Sequence, residues 1–130
     1  MTSTTNPTID WQAFTTALGD VEVIRDPTQV EKLSKDYYYF SPILQAQLAD
    51  KTADLVVRPT SEAEVLQVAK ACVAAKVPVT VRGAGTGNYG QCIPLAGGII
   101  LDLSRMNAVK WVKPRMACVA AGAKLAAIDK

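Results

Sequence analysis

The stretch Val79–Gly90 reads VTVRGAGTGNYG and predicts a β-strand that stops at alternating glycines. Glycine tolerates positive φ and lets a ligand approach the backbone closely. Successive N–H groups in such a turn converge on one point and form an anion-binding concavity. Arg82 adds a positive charge at its mouth. The simplest ligand for this arrangement is a phosphate or a pyrophosphate.

Two familiar phosphate motifs fail on sequence context. Residues 85–90 match G-x-G-x-x-G, but a Rossmann site needs a helix from about Tyr89 and an acidic residue further on. Pro94 and the pair Gly97-Gly98 oppose such a helix, which leaves NAD binding as a weaker alternative. A P-loop is excluded because no Gly-Lys-Ser/Thr follows the glycines.

A third pattern fits, and its elements occur in a fixed order. They are Arg82-Gly83-Ala84-Gly85-Thr86-Gly87, Tyr89-Gly90, Pro94, Gly97-Gly98, Ile99 to Leu103 and Arg105-Met106-Asn107. This order resembles the FAD-binding domain of p-cresol methylhydroxylase/vanillyl-alcohol oxidase (PCMH) type flavoproteins. Within that family it is most similar to the glycolate oxidase and D-lactate dehydrogenase branch. The resemblance runs from about Asp54 to about Leu125.

The resemblance implies a set of cofactor-binding residues. In that family the glycine loop wraps the FAD pyrophosphate with backbone amides, and the residues that match here are Gly83, Ala84, Gly85, Thr86 and Gly87. Thr86 adds its hydroxyl, and Asn88 and Gly90 complete the loop. The resemblance also places Pro59 near the adenine and ribose and Gly122 against the cofactor. Two roles stay open: Arg82 pairs with a phosphate or holds the loop through carbonyl contacts, and Tyr89 covers the cofactor or joins the core.

Length and composition exclude several classes of function. A chain of 130 residues allows one modest domain, and a net charge of +2 gives no electrostatic case for nucleic acid or an anionic membrane. No apolar run approaches the length of a membrane span. The N-terminus has neither a basic region nor an apolar run typical of a signal peptide, so we expect a cytoplasmic location.

The chain has three cysteines and no histidine. The cysteines are far apart and suggest neither a closed disulfide set nor a metal cluster, so we predict no metal. Histidine is the usual residue for covalent flavin attachment in the resembled family. We therefore expect non-covalent FAD, with a linkage to Cys92 as the less favoured alternative.

Residues 1–52 predict a helical lead-in. Nothing regular is expected before about Thr8, a first helix is expected from Asp10 to Leu18, and Asp26-Pro27 predicts the start of a second helix. The aromatic-rich stretch Lys35–Pro42 either stacks on a ring of the cofactor or packs on the domain surface, and packing is favoured.

Residues 53–130 predict a partial FAD-binding domain of α+β class. A strand from Asp54, a helix opened by a Ser61/Glu64 capping box and the strand Val79–Val81 form a β-α-β unit. We expect its two strands to be parallel neighbours. A further strand follows the loop, and in it Asp102 is expected to face solvent or to cap the next turn.

The C-terminal part predicts an antiparallel hairpin of Val109–Val112 with Ala117–Ala120, and then a helix from Lys124. The resembled domain needs more sheet and helix beyond this point. The sequence therefore indicates the front portion of a longer protein.

The leading functional hypothesis is the N-terminal part of an FAD-linked oxidoreductase that oxidises a 2-hydroxy acid such as lactate or glycolate. No catalytic residue can be named, because in the family those lie in parts that do not match this chain. The alternative is a non-catalytic remnant or an interaction module that folds with a partner chain.

Overall fold

The computed structural model describes residues 8–129, so the expectation for the segment before Thr8 lies outside the described residues. The helices are α1 (Trp11–Ala17), α2 (Pro27–Leu33), α3 (Pro42–Leu48), α4 (Glu62–Ala75) and α5 (Leu125–Ile128), with a 3-10 turn at Tyr38–Phe40. The strands are β1 (Glu22–Ile24), β2 (Leu55–Arg58), β3 (Val79–Arg82), β4 (Ile99–Asp102), β5 (Val109–Lys113) and β6 (Met116–Val119). These elements confirm the predicted α+β class, the β-α-β unit and the antiparallel hairpin.

Four strands form one mixed sheet in the order β1-β2-β4-β3. Strand β1 pairs antiparallel with β2, while β2 and β3 each pair in parallel with β4. The expectation that β2 and β3 are neighbours was therefore wrong, because β4 lies between them. The reason is burial: Ile99, Ile100 and Leu101 are apolar on both faces of the sheet and need a central position. Strand β3 alternates apolar and polar residues and takes the edge.

The sheet has a core on each face. On one face, α1 and α4 pack with Leu55, Val57, Ile99 and Leu101. On the other face, Val56 and Ile100 pack with residues that include Val30 of α2. The period of two along each strand produces this division. Because both faces are packed, the sheet holds the loops at its ends on a well-packed base.

Helix α4 starts at the predicted capping box, with one difference in partner. The Ser61 hydroxyl accepts a hydrogen bond from the Glu64 amide at 3.2 Å, as expected. The Glu64 carboxylate, however, accepts from the amide and hydroxyl of Thr60, one residue before the N-cap. These bonds fix the start of α4 at Glu62, shortly after Pro59.

Asp102 takes one of the two roles expected for it. Its side chain is buried rather than solvent-facing, because β4 is a central strand. Oδ2 accepts a hydrogen bond from Arg58 Nε at 2.8 Å, and Oδ1 accepts from the Ser104 amide at 3.0 Å. The predicted role in capping the following turn is confirmed.

The lead-in is more than helical, since β1 extends the main sheet. Asp26 caps α2 by accepting from the Gln29 amide, as predicted. In the aromatic stretch, Tyr38 is buried, whereas the rings of Tyr37, Tyr39 and Phe40 contact one another at the surface. Across residues 8–129, no helix is long and apolar enough to cross a membrane.

Candidate functional site

The carboxyl ends of the three parallel strands meet at one edge of the sheet. Pro59 directly follows β2, the loop that starts at Gly83 follows β3, and Leu103 follows β4. Ligands of open α/β sheets bind at this edge. The topology thus brings the candidate residues after β2 and β3 to one side of the molecule.

The connection between β3 and β4 contains no helix or strand. Within it, the backbone amides of residues 83–88 donate no hydrogen bond to any described residue. The Tyr89 amide donates to Gln91 Oε1 at 3.1 Å, and the Gly90 amide donates to Asp36 Oδ2 at 3.0 Å. The absence of a helix from Tyr89 removes the context that a Rossmann site needs. The unbonded amides are the donor set that an anion requires.

The loop glycines differ in what requires them. Gly85 and Gly90 have φ of +69° and +80°, which disfavours any side chain there. A Cβ on Gly85 would also overlap the Arg82 guanidinium, and a Cβ on Gly87 would overlap Gln91 Oε1. Gly83 is different: it has an ordinary φ, and a Cβ there would meet nothing within 4 Å. The fold itself therefore does not require glycine at position 83.

Arg82 holds backbone carbonyls of the lead-in. Its Nη1 donates to the carbonyl oxygens of Leu33 at 3.0 Å and Lys35 at 2.6 Å. Nε and Nη2 donate to nothing among the described residues, so a guanidinium with five N–H donors keeps several for a ligand. The contact to carbonyls is shown, and pairing with a phosphate stays a prediction.

A cavity of about 960 Å³ lies between the start of α4, the ends of β3 and β4 and the β5–β6 hairpin. Thr60, Val81, Leu103 and Ala120 are among its lining residues. Its volume suits part of a dinucleotide. Sequence reasoning missed this cavity, because the residues that line it come from separate segments that only the fold brings together.

Pro59 and Gly122 are each adjacent in sequence to a residue that lines this cavity. The Pro59 side chain is fully buried, and the next residue, Thr60, lines the cavity. The Gly122 amide donates to the Met106 carbonyl at 2.8 Å, and a Cβ on Gly122 would overlap the Leu103 carbonyl. Close packing of the hairpin end on β4 thus requires this glycine, and its contact with a cofactor stays a prediction.

A second, smaller cavity of about 530 Å³ lies between the glycine loop and the lead-in. Arg82, Ala84 and Gly85 line it from the loop, and Lys32 and Tyr37 are among the residues that line it from the lead-in. Tyr89 is exposed, so it is not part of the core. Asp36 and Gln91, which bond the loop amides, were not singled out from the sequence.

Two of the three cysteines, Cys72 and Cys92, are buried. Burial raises the pKa of the Cys72 thiol to about 11. Burial also raises the pKa of the Cys92 thiol, although the nearby Arg82 charge opposes this. Within residues 8–129, no group of three or more His, Cys, Asp or Glu side chains could hold a metal.

Known proteins match this arrangement. A family model described as an FAD binding domain matches residues 53–130. The structure superposes on p-cresol methylhydroxylase with a TM-score of 0.70 at 25% identity, covering 91% of this chain and 22% of that one. It superposes on alkyldihydroxyacetonephosphate synthase with a TM-score of 0.72 at 23% identity, covering 91% and 26%, which shows a shared fold.

Curated relatives include three oxidoreductases or their subunits. A D-lactate dehydrogenase of Anaerostipes hadrus is 39% identical over 43% of this chain and 12% of its own length. The mitochondrial D-lactate dehydrogenase (cytochrome) of Arabidopsis thaliana is 29% identical over 72% of this chain and 16% of its own. The GlcD subunit of glycolate oxidase from Escherichia coli K12 is 36% identical over 58% and 16%.

The chain spans between 12% and 16% of the length of these three relatives. The family model covers well over half of the chain itself. The resemblance inferred from the glycine loop is thereby confirmed, and the chain belongs to the FAD-binding domain family of PCMH-type flavoenzymes.

Proposed function

We propose that this chain binds FAD non-covalently, with the pyrophosphate on the amides of residues 83–88. We further propose that it acts as the FAD-binding part of an oxidoreductase for 2-hydroxy acids of the lactate or glycolate type. The observation that carries the first proposal is the run of six consecutive amides without a hydrogen-bond acceptor. None of residues 83–88 is buried, so these amides are accessible to a ligand, and consecutive N–H groups in a turn can form an anion-binding concavity.

The surroundings of the loop support a dianionic ligand. Arg82 supplies positive charge with unused donors, and the Thr86 hydroxyl lies within the same run of amides. The 960 Å³ cavity next to Thr60 offers space for the adenosine part. Bound FAD supplies the redox chemistry, and the residues of this chain bind and orient it.

Non-covalent attachment is supported by the side chains available. The chain contains no histidine. The Cys92 thiol is buried, lies 3.6 Å from Arg82 Nη1 and has a raised pKa, so little of it is present as the nucleophilic thiolate.

The substrate class rests on the named relatives. Two are D-lactate dehydrogenases and one is a subunit of glycolate oxidase. No residue of this chain is proposed as catalytic.

A second candidate function is an interaction module completed by a partner chain. The apolar residues Val79 and Val81 of the edge strand β3 favour it, since they are 43% and 54% exposed. A purified chain that stays monomeric and retains stoichiometric flavin argues against this candidate. A colourless or aggregated chain argues for it.

Gly83→Val gives the sharpest test of FAD binding. The fold has room for a side chain at this position, so we expect the melting temperature of the cofactor-free chain to change little. A side chain there blocks close approach of the pyrophosphate, so we expect FAD affinity, measured by flavin fluorescence, to fall at least tenfold, about 1.4 kcal/mol.

Gly85→Val is the comparison variant. We expect it to lose both FAD binding and stability, because φ is positive and the guanidinium of Arg82 occupies the space. Unchanged FAD affinity in Gly83→Val contradicts the assignment of the pyrophosphate to this loop.

A further inference from the structure

The lead-in segment between α2 and the 3-10 turn is bonded to both ends of the glycine loop. At the start of the loop, Arg82 donates to the carbonyls of Leu33 and Lys35. Further along, the Tyr37 amide donates to the Gly87 carbonyl at 2.9 Å, and the Gly90 amide donates to Asp36. These residues are about 50 positions apart in sequence, so the contacts are tertiary.

Asp36 is the central residue of this contact. Its side chain is buried, with the residue 5% exposed, and both carboxylate oxygens accept from backbone amides. Oδ1 accepts from Tyr38 at 2.8 Å and Oδ2 from Gly90 at 3.0 Å. A buried carboxylate is tolerated only when such bonds compensate its desolvation. Asp36 therefore couples the lead-in backbone to the C-terminal end of the loop.

The two ends of the loop are constrained in complementary ways. At the N-terminal end, the Arg82 guanidinium fills the space next to Gly85 and is itself held by two carbonyls. At the C-terminal end, Asp36 fixes Gly90. Between these points lie the amides that have no acceptor. Because the amides of residues 83–88 make no internal hydrogen bonds, contacts at the two ends of the loop hold its shape.

We propose that Asp36 is a positioning residue for the pyrophosphate site, holding the loop in its binding conformation without contacting the cofactor. This inference rests on the proposed FAD binding. It makes the lead-in segment 33–38 part of the cofactor site, although the family match begins only at residue 53.

The test compares Asp36→Asn with Asp54→Asn in the full chain. Asp54 makes the same type of bond at the far end of the β3–β4 connection, where Oδ2 accepts from the Gly98 amide at 2.8 Å. Asparagine keeps the size of each side chain but removes the negative charge that strengthens its hydrogen bond from the glycine amide. Each variant therefore weakens a carboxylate–glycine contact, and only one of them lies at residues 83–90.

Two readouts are needed. Amide hydrogen exchange of the cofactor-free chain reports the loop directly, and we expect faster exchange at Gly90 in Asp36→Asn and at Gly98 in Asp54→Asn. FAD titration then reports the site: we expect affinity to fall about tenfold in Asp36→Asn and to stay within about twofold of wild type in Asp54→Asn. Melting temperatures show whether either loss follows general destabilisation.

The outcomes separate the two proposals. If the wild-type chain binds FAD and Asp36→Asn binds it equally well, or both variants weaken it equally, the positioning role is wrong and FAD binding stands. If the wild-type chain binds no FAD, both proposals fall. Should Asp36→Asn not fold, Asp36→Glu replaces it, because it keeps the charge and shifts the carboxylate by one methylene; we expect the same direction of change.

Discussion

At the scale of single residues, one largely buried ion pair joins the ends of two neighbouring strands of the sheet. Asp102 at the end of β4 and Arg58 at the end of β2 form an ion pair at 2.8 Å, with the aspartate side chain 3% exposed. Burial raises the pKa of Asp102, but the hydrogen bonds from Arg58 and Ser104 outweigh it and hold that pKa below its usual value of 3.8. The ionised form is therefore the one that the fold stabilises.

Asp102→Ala is expected to lower the free energy of unfolding at neutral pH by about 3 kcal/mol, because Arg58 loses its partner in a partly buried position. A carboxyl with a lowered folded pKa stabilises the protein above its unfolded value and ceases to do so as pH falls through the folded value. The difference between wild type and variant should thus shrink below pH 3.8. Urea unfolding at several pH values measures it.

Asp50→Ala is the matched control. Its carboxylate lies 4.0 Å from Lys51 at the surface, and we expect a change within about 0.5 kcal/mol. An equal, pH-independent loss in both variants contradicts the role assigned to the Asp102 pair.

At the scale of elements, the cap of α4 fixes the backbone of the residues that follow Pro59. Three hydrogen bonds join Thr60, Ser61 and Glu64. Thr60 and Ser61 also line the larger cavity. A weaker cap therefore disturbs the cavity wall as well as the helix.

Ser61→Ala is expected to lower stability by about 1 kcal/mol, the usual cost of losing an N-cap hydroxyl. Glu62→Ala is the control. Its carboxylate is largely exposed, and its ion pair with Lys110, at 3.6 Å on the surface, contributes little to stability. Thermal unfolding followed by circular dichroism compares the two. A larger loss in Glu62→Ala contradicts the importance of the cap.

At the scale of the whole molecule, stability depends on the central strand of a sheet that is covered on both faces. Ile100 of β4 is fully buried against Val56 and the α2 side, whereas Val79 of the edge strand β3 is 43% exposed. Both residues belong to parallel strands, but β4 reads IILD and β3 reads VTVR. Their environments differ because β4 is central in the sheet and β3 lies at its edge.

Ile100→Ala is therefore expected to cost about 3 kcal/mol, and Val79→Ala less than about 1 kcal/mol. Chemical denaturation of both variants checks this difference. Comparable losses at the two positions contradict the order β1-β2-β4-β3 and favour β3 as an internal strand.

Local sequence determined the elements and the chemistry of the loop. Proline and glycine placement, the caps at Asp26 and Ser61 and the glycines after Arg82 act within a few residues, so they predict helices, turns and an anion-binding backbone directly. The family followed from the order of these same features. The contacts of the individual site residues with FAD remain predictions.

Tertiary structure alone decided which strands are neighbours, that Arg58 pairs with Asp102, and that Asp36 of the lead-in bonds the glycine loop. The apolar run of β4 and the alternation in β3 are visible in the sequence, but the distant helices against which each strand buries its apolar surface are not. The bonds of Arg82 and Asp36 join segments about 50 residues apart. The sequence specifies a loop rich in glycine, and the lead-in that folds against this loop determines its shape.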